Sequence, residues 1–283
     1  MKKIIFSLIM ATYGRKNEIS EFLDSLLLQE YDISMIEIII VDQNDKIDLS
    51  EIVANYSGKL NIKHIISDKK GLSINRNIGL EYATGEYVAF PDDDCTYYPD
   101  TLSNTIRLFN DEKDVDVFLG RIYDRKTLQN IIRNWKELSF KITKNNFFLH
   151  YSSITIFHRA NKVRFDNELG VGQFFGSCED TDYVWQLLNQ RLQVKYTPDI
   201  VVWHPELNKN VMNYNKIYSY GLGFGAYIYK NRSLENLFLL IKVLGFHCIK
   251  LMLSVFKLDK VGIKKSWLSI KSRLLGIYLY AIK

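Results

Sequence analysis

A chain of 283 residues holds one large domain or two unequal ones. Hydrophobic residues at 47% and charged residues at 24% are globular proportions, which exclude a disordered, collagen-like or low-complexity chain. Three widely spaced cysteines (Cys95, Cys178 and Cys248) suit neither a disulfide-stapled scaffold nor a structural zinc site, and point to a reducing compartment. The formal net charge of +5 is unevenly spread: from Lys230 onward eleven Lys/Arg face Glu235 and Asp259, giving +9, so residues 1–229 carry −4. An acidic body with a basic, apolar tail is not built as a general nucleic-acid binder; the tail suits an anionic surface.

The lysines before Ile4–Ala11 imitate a secretion signal. The apolar run is short, no small-x-small cleavage site follows, and Arg15, Lys16 and Glu18 restore charge at once, so Ile4–Met10 reads as a buried strand. Glu18–Leu28 is predicted helical, with Ile19, Phe22, Leu23, Leu26 and Leu27 on one side. Ile36–Val41 is a β-branched run of the kind buried on both faces of a parallel sheet, and it ends in Asp42. Ile62–Ile66 is a third strand, Leu72–Ala83 a helix ending near Gly85, and Tyr87–Phe90 a fourth strand running into Pro91-Asp92-Asp93-Asp94. Repeated βα units imply an α/β, doubly wound, mainly parallel sheet with ligands at the carboxyl ends of its strands. Pro99–Phe109 reads as a helix, Val115–Leu119 as a strand, Phe147–Phe157 as a long segment in the sheet or at its edge, Asp180–Leu192 as a helix, and Val194–Trp203 as an extended segment reaching His204-Pro205. Tyr220–Tyr227 is glycine-rich without the preceding strand of a dinucleotide fingerprint, and is expected to form a mobile loop near a diphosphate. No segment before residue 230 is long and apolar enough to span a bilayer.

Three consecutive aspartates repel one another unless a cation or hydrogen-bond donors offset them, and hard oxygen ligands suit Mg²⁺ or Mn²⁺. Asp42 either caps a turn or meets a ligand, Tyr13 offers a flat ring for a base to stack on, and Arg76 carries a guanidinium fork from a helix opened by Gly71-Leu72-Ser73. Glu179-Asp180-Thr181-Asp182 either caps a helix or supplies a general base. His204 is a packed loop histidine or a metal or phosphate contact.

Together, Ala11-Thr12-Tyr13-Gly14-Arg15, IIIVDQND (38–45), GLSINRNIGL (71–80), ATGEYVAFPDDDC (83–95) and GSCEDTD (176–182) resemble the family-2 glycosyltransferases of GT-A fold, over about residues 1–230. The resemblance implies a Rossmann-like nucleotide-binding half with a helical C-terminal extension: residues 1–230 as the catalytic domain and 231–283 as the tail. It further implies a UDP-sugar donor, Mn²⁺ or Mg²⁺, an acceptor hydroxyl on a saccharide or lipid-linked saccharide of a growing surface polysaccharide, and inversion in one metal-assisted displacement. By position, Thr12, Tyr13 and Arg15 would line the nucleotide site and Asp42 would accept from the uracil N3–H. Arg76 would contact base or phosphates, and Asp92 and Asp93 ribose and sugar. Asp94, with Asp92 and His204, would hold the metal, Asp180 would be the catalytic base with Glu179 beside it, and the 170–178 loop with the region beyond 204 would position the acceptor.

Two other classes fit part of the pattern. Asp92-x-Asp94-x-Thr96 satisfies the DxDxT of haloacid-dehalogenase-type phosphohydrolases, but that reading leaves Thr12, Tyr13 and Asp42 idle. A sugar-nucleotide-binding protein without turnover has no use for Asp180.

In the tail, Leu234–Lys257 plotted as a helix gathers Glu235, Asn236, Lys242, His247, Lys250, Ser254 and Lys257 into one arc, expected to face water. Ile263–Ile282 places Ile263, Trp267, Ile270, Leu274, Ile277 and Ala281 opposite Lys265, Ser269, Ser272 and Arg273. Such helices suit peripheral attachment at the inner, cytoplasmic face of a membrane; packing on the catalytic domain or in a homodimer is the alternative.

Overall fold

The run Phe6–Thr12 is buried at every position and forms β1; the run Ile36–Asp42 is likewise buried and forms β2. They pair in parallel from Phe6↔Ile36 to Thr12↔Asp42, which brings two polar side chains to one edge of an otherwise apolar layer. In the computed structural model, which describes residues 3–206 and 213–283, these strands sit in the first of two units, Met1–Arg164 with Val184–Leu207. β3 (Asn61–Ile66) continues the parallel order beyond β2, and β4 (Tyr87–Ala89) joins β1 on its other side, also in parallel. Helices α1 (Asn17–Leu27), α2 (Ser50–Ser57) and α3 (Leu72–Tyr82) make the crossovers. α1 buries Ile19, Phe22, Leu23 and Leu26, as its apolar stripe requires. α3 lies so close to β1 that a Cβ on Gly79 would overlap the Ile9 side chain.

Beyond β4 come β5 (Thr96–Tyr97), α4 (Thr101–Asp111), β6 (Val117–Asp124), the short β7 (Gln129–Asn130) and β8 (Phe140–Lys141), β9 (Ile156–Arg159), α5 (Glu179–Asn189) and β10 (Val194–Trp203). The strand order is β3-β2-β1-β4-β9-β6-β10-β5. β9 is antiparallel to both its neighbours, β10 is parallel to β6, and β5 folds back antiparallel on the end of β10. The sheet is mixed and mostly parallel, as expected, and its antiparallel pairs each involve a strand beyond the aspartates. Phe147–Phe157 is not one extended segment. It makes two 3₁₀ turns, Phe147–Leu149 and Ser153–Thr155, before β9 begins, because its aromatics pack on each other: Phe147 stacks on Tyr151 at 5.8 Å and tilts against Trp185 at 5.7 Å.

Glu37 is a buried carboxylate at the start of β2, and the fold satisfies it. Its Oε1 accepts from Ser7 Oγ at 2.6 Å, the Thr84 N–H at 2.6 Å and Thr84 Oγ1 at 2.9 Å. Gly85 completes this joint: a Cβ there would lie 2.6 Å from the Ser7 nitrogen, and its N–H donates to Ser7 Oγ.

The second unit is Phe165–Tyr183 with Asn208–Lys283. The division expected at residue 230 is therefore displaced, because α6 (Tyr214–Lys230) belongs with α7 (Leu234–Phe256) and α8 (Lys260–Ala281). The glycine-rich stretch expected as a mobile loop lies inside α6. Its glycines bring helix backbones together: a Cβ on Gly225 would meet the Arg273 carbonyl oxygen and, at 2.6 Å, the Ile277 nitrogen, while one on Gly276 would meet Leu222. α8 accordingly buries Gly262, Ser266, Ser269, Ser272 and Gly276 and turns Trp267 and Leu274 outward. The polar arc expected to face water on α7 is partly turned inward, since Asn236 and Ser254 are its buried residues.

Candidate active site

The polar ends of β1 and β2 build one edge. Asp42 is buried, with Oδ1 accepting from the Asn44 backbone N–H at 2.9 Å and Nδ2 at 2.8 Å, and Oδ2 lying 3.0 Å from His64 Nε2. Gly14, in the left-handed region at φ +78°, donates its N–H to Asn44 Oδ1 at 2.6 Å. Gln43 Oε1 accepts from the Gly71 N–H at 2.8 Å and from Asn75 Nδ2 at 3.0 Å, and Lys70 Nζ donates to the Gln43 carbonyl. The Tyr13 ring is 60% exposed, with Lys70 Nζ 5.4 Å from its centroid. A rigid frame thus presents a flat ring, a cation and a carboxylate side by side, the parts a nucleobase requires.

The three aspartates take separate tasks. Asp93 turns back to β1, accepting from Thr12 Oγ1 at 2.7 Å and the Tyr13 N–H at 3.4 Å. Burial, joined by the charges of Asp92 and Asp94, pushes its carboxyl up to about 6 despite the Thr12 hydrogen bond. Asp92 Oδ1 accepts at 2.7 Å from the guanidinium of Arg76, which is 1% exposed. Asp94 accepts from Arg15 at 2.7 Å on Oδ2 and faces His204 Nε2 at 3.2 Å on Oδ1. Burial alone would raise Asp94, but the hydrogen bond and charge of His204 and the charge of Arg15 hold it below the usual carboxylate range. Burial also works against a charged His204, yet the hydrogen bond to Asp94 and that carboxylate's charge raise it.

Ligand atoms of Asp92, Asp94 and His204 lie within 4.8 Å of one another. Two hard carboxylates and one imidazole, with His204 Nδ1 engaged 2.7 Å from the Pro205 carbonyl and Nε2 facing Asp94, fit a divalent ion. The sequence pointed to all three residues. It did not reveal Asn44, His64, Gln43 or Asn75, whose roles depend on pairings across the sheet edge; the polar residues clustered in 42–45 and 67–77 were the available signal.

The second acidic cluster lies in the second unit. Cys178 takes φ +68° immediately before α5, and Asp180 Oδ1 accepts from the Thr181 N–H at 2.9 Å. Its loop rests on the small residues of α6: Ser177 Oγ donates to the Tyr220 carbonyl at 2.9 Å, and a Cβ on Gly223 would lie 2.6 Å from the Ser177 nitrogen. Burial, with the charges of Glu179 and Asp180, raises Tyr220. Glu179 is buried and Asp180 half-buried. Asp182, by contrast, is structural: fully buried, it accepts from Lys230 at 2.8 Å and Asn231 at 2.7 Å. Of the region beyond His204 expected to position an acceptor, 207–212 lies outside the described residues.

A mixed, mostly parallel sheet that gathers carboxylates and a histidine beside the polar ends of its first two strands places a ligand crevice where α/β sheets bind nucleotides, as the GT-A resemblance implies. Residues 7–170 match glycosyl transferase family 2, more than half of the chain, and the chain belongs to that family. Membership of that family sets aside the phosphohydrolase reading of Asp92-x-Asp94-x-Thr96. The chain is 30% identical over 181 residues to the poly(ribitol-phosphate) beta-N-acetylglucosaminyltransferase TarS of Staphylococcus aureus, covering 62% of this chain and 31% of TarS. Against the staphylococcal enzyme TarP, which carries the same description, identity is 25% over 257 residues, covering 82% of this chain and 75% of TarP. The minor teichoic acid biosynthesis protein GgaB of Bacillus subtilis is 28% identical over 179 residues, covering 59% of this chain and 20% of GgaB. The chain thus spans about a third of TarS and a fifth of GgaB. Two solved structures share the fold at TM-score 0.60. Staphylococcal TarS 1–349 with UDP is 19% identical, with 99% of this chain and 92% of that one covered. The Pyrobaculum calidifontis mannosyltransferase PcManGT with GDP-Man and Mn²⁺ is 14% identical, with 99% and 76% covered.

Proposed function

We propose that the chain is an inverting glycosyltransferase that moves a sugar from UDP to a hydroxyl of a growing bacterial surface polymer, with Mn²⁺ as its ion and Asp180 as its base. The observation that carries this reading is the convergence of Asp92, Asp94 and His204 beside the Thr12-Tyr13 edge. The UDP complex of TarS and the polymer-modifying relatives support the donor and acceptor classes. Asp42, fixed by Asn44 and His64, serves as acceptor for a base N–H, which favours uracil. Arg15 and Arg76 hold the aspartates in place and supply fixed positive charge where a leaving diphosphate gathers negative charge. When bound, a divalent ion adds Lewis-acid stabilisation of that leaving group. Asp180 accepts the proton of the attacking hydroxyl, Glu179 orients the acceptor, and a single displacement with one base inverts the anomeric carbon.

Calorimetry of UDP binding with and without Mn²⁺ tests the donor site. Asp94→Ala and His204→Ala are expected to remove the Mn²⁺-dependent part of the affinity, and equal affinity in EDTA refutes the ion assignment. A screen of nucleotide sugars by UDP release identifies the donor. Asp180→Asn should keep UDP affinity and lose about 10²–10⁴-fold in transfer rate; transfer at the wild-type rate places the base elsewhere.

A further inference from the structure

The outward side of α7 is apolar, the reverse of a helix that meets water. Leu237, Phe238, Ile241, Ile249, Met252 and Phe256 are each between 49% and 87% exposed. At 100° per residue they fall within about 120° of arc. The residues α7 buries are Asn236, which bonds Tyr227 and Asn231, and Ser254. α8 buries serines and glycines beside Leu275, Leu279 and Tyr280, and leaves Trp267 and Tyr278 outside. The polar surface of this helix pair is thus spent on its own packing, and an apolar face is left without a protein partner among the described residues.

Charge identifies the occupant. Lys242, Lys250 and Lys257 all follow one flank of the α7 stripe, and from Lys230 onward eleven cationic residues face two acids. A second copy would set like charge against like charge, whereas anionic lipid headgroups complement it. α7, with 23 residues and a mean hydropathy of 1.9 over its most apolar 18, is long and apolar enough to cross a bilayer, but Lys242 and Lys250 interrupt its middle and Lys264, Lys265 and Lys271 interrupt α8. We propose that the α7–α8 pair lies flat in the interface of an anionic membrane, with its apolar stripe among the acyl chains and its lysine flank at the headgroups. The proposal stands independently of the donor site.

Sedimentation of the full chain with vesicles tests it. Binding to phosphatidylglycerol vesicles is expected, with weaker binding to phosphatidylcholine and release by alkaline carbonate. Phe238→Glu with Phe256→Glu should weaken partitioning by about 100-fold or more. Lys242→Ala with Lys250→Ala leaves the packed side of α7 untouched; it should weaken binding to phosphatidylglycerol by about fivefold per lysine and leave phosphatidylcholine binding unchanged. Circular dichroism and the thermal midpoint check that both variants fold. The idea is overturned by absent or headgroup-indifferent binding. Retention through carbonate, the mark of a spanning helix, also overturns it. So does a dimer in ultracentrifugation that the phenylalanine variant dissolves while vesicle binding persists.

Discussion

His158 lies in the middle of the sheet, 1% exposed, where β9 pairs with Val88 of β4 and Val117 of β6. Burial, helped by the charge of Arg164 and opposed by the Arg159 carbonyl, lowers its ring from 6.5 to about 4. Between those values the unfolded chain binds more protons than the folded one, so stability must fall as pH falls. Well above pH 6.5 the ring is neutral in both states and costs nothing; linkage puts the loss at about 2 kcal/mol at pH 5 and about 3 kcal/mol near pH 4. With a urea slope of roughly 2–3 kcal/mol/M, the pH 5 loss moves the midpoint down by about 0.7–1 M. Carboxylates titrate in the same range, and His158→Gln separates them, since glutamine keeps polar atoms and does not ionise. Urea midpoints by tryptophan fluorescence at pH 8 and pH 5 should fall further in the wild type than in the variant by that amount. Equal falls in the two proteins refute the assignment of a neutral buried ring.

Glu37→Ala removes the acceptor for three hydrogen bonds and should cost about 3 kcal/mol in urea unfolding, with Glu37→Gln costing less; a change under about 0.5 kcal/mol contradicts a structural role. Gly225→Ala forces a methyl onto the backbone of α8 and should lower stability by about 1–3 kcal/mol even against its gain in helix propensity. Gly245→Ala, on α7 with nothing within 4 Å of its Cβ position, should raise it by up to about 1 kcal/mol. Thermal midpoints that move in the same direction for both glycines reject the close approach of α6 and α8.

The parallel half was legible because its signals are local. Unbroken Ile/Val runs have no other use than strands covered on both faces, and their register carries Thr12 and Asp42 to the same edge. Part of the Asp92, Asp94 and His204 cluster was legible because two of its members sit in one turn. What stayed hidden depended on distant chain. Asp93 leaves the cluster because Thr12 Oγ1 reaches it from another strand, and His64 finds Asp42 through the β2–β3 pairing. Gly221, Gly223 and Gly225 read as a loop because glycine is a poor helix former in isolation; tertiary packing reversed that preference, since only glycine lets α8 and the Ser177 turn come so near. The helical spacing of Ile217, Phe224 and Ile228, all buried in α6, was the signal that outweighed it.

Three adjacent carboxylates survive here because each is given a different neutraliser. The Thr12 hydroxyl answers Asp93, with Arg15 Nε 3.8 Å away, the buried Arg76 answers Asp92, and the Arg15 fork takes one oxygen of Asp94 while the other faces His204. The arginines therefore do more than cancel charge. By occupying one oxygen each, they fix the carboxylate rotamers before any ion arrives, so that the ordering entropy of the ligand set is met in folding. The same arrangement explains why the middle residue of the triplet matters: without the turn of Asp93 toward β1, all three negative groups would point into one space. Arg15, Arg76 and His204 would then have to offset all three at close range.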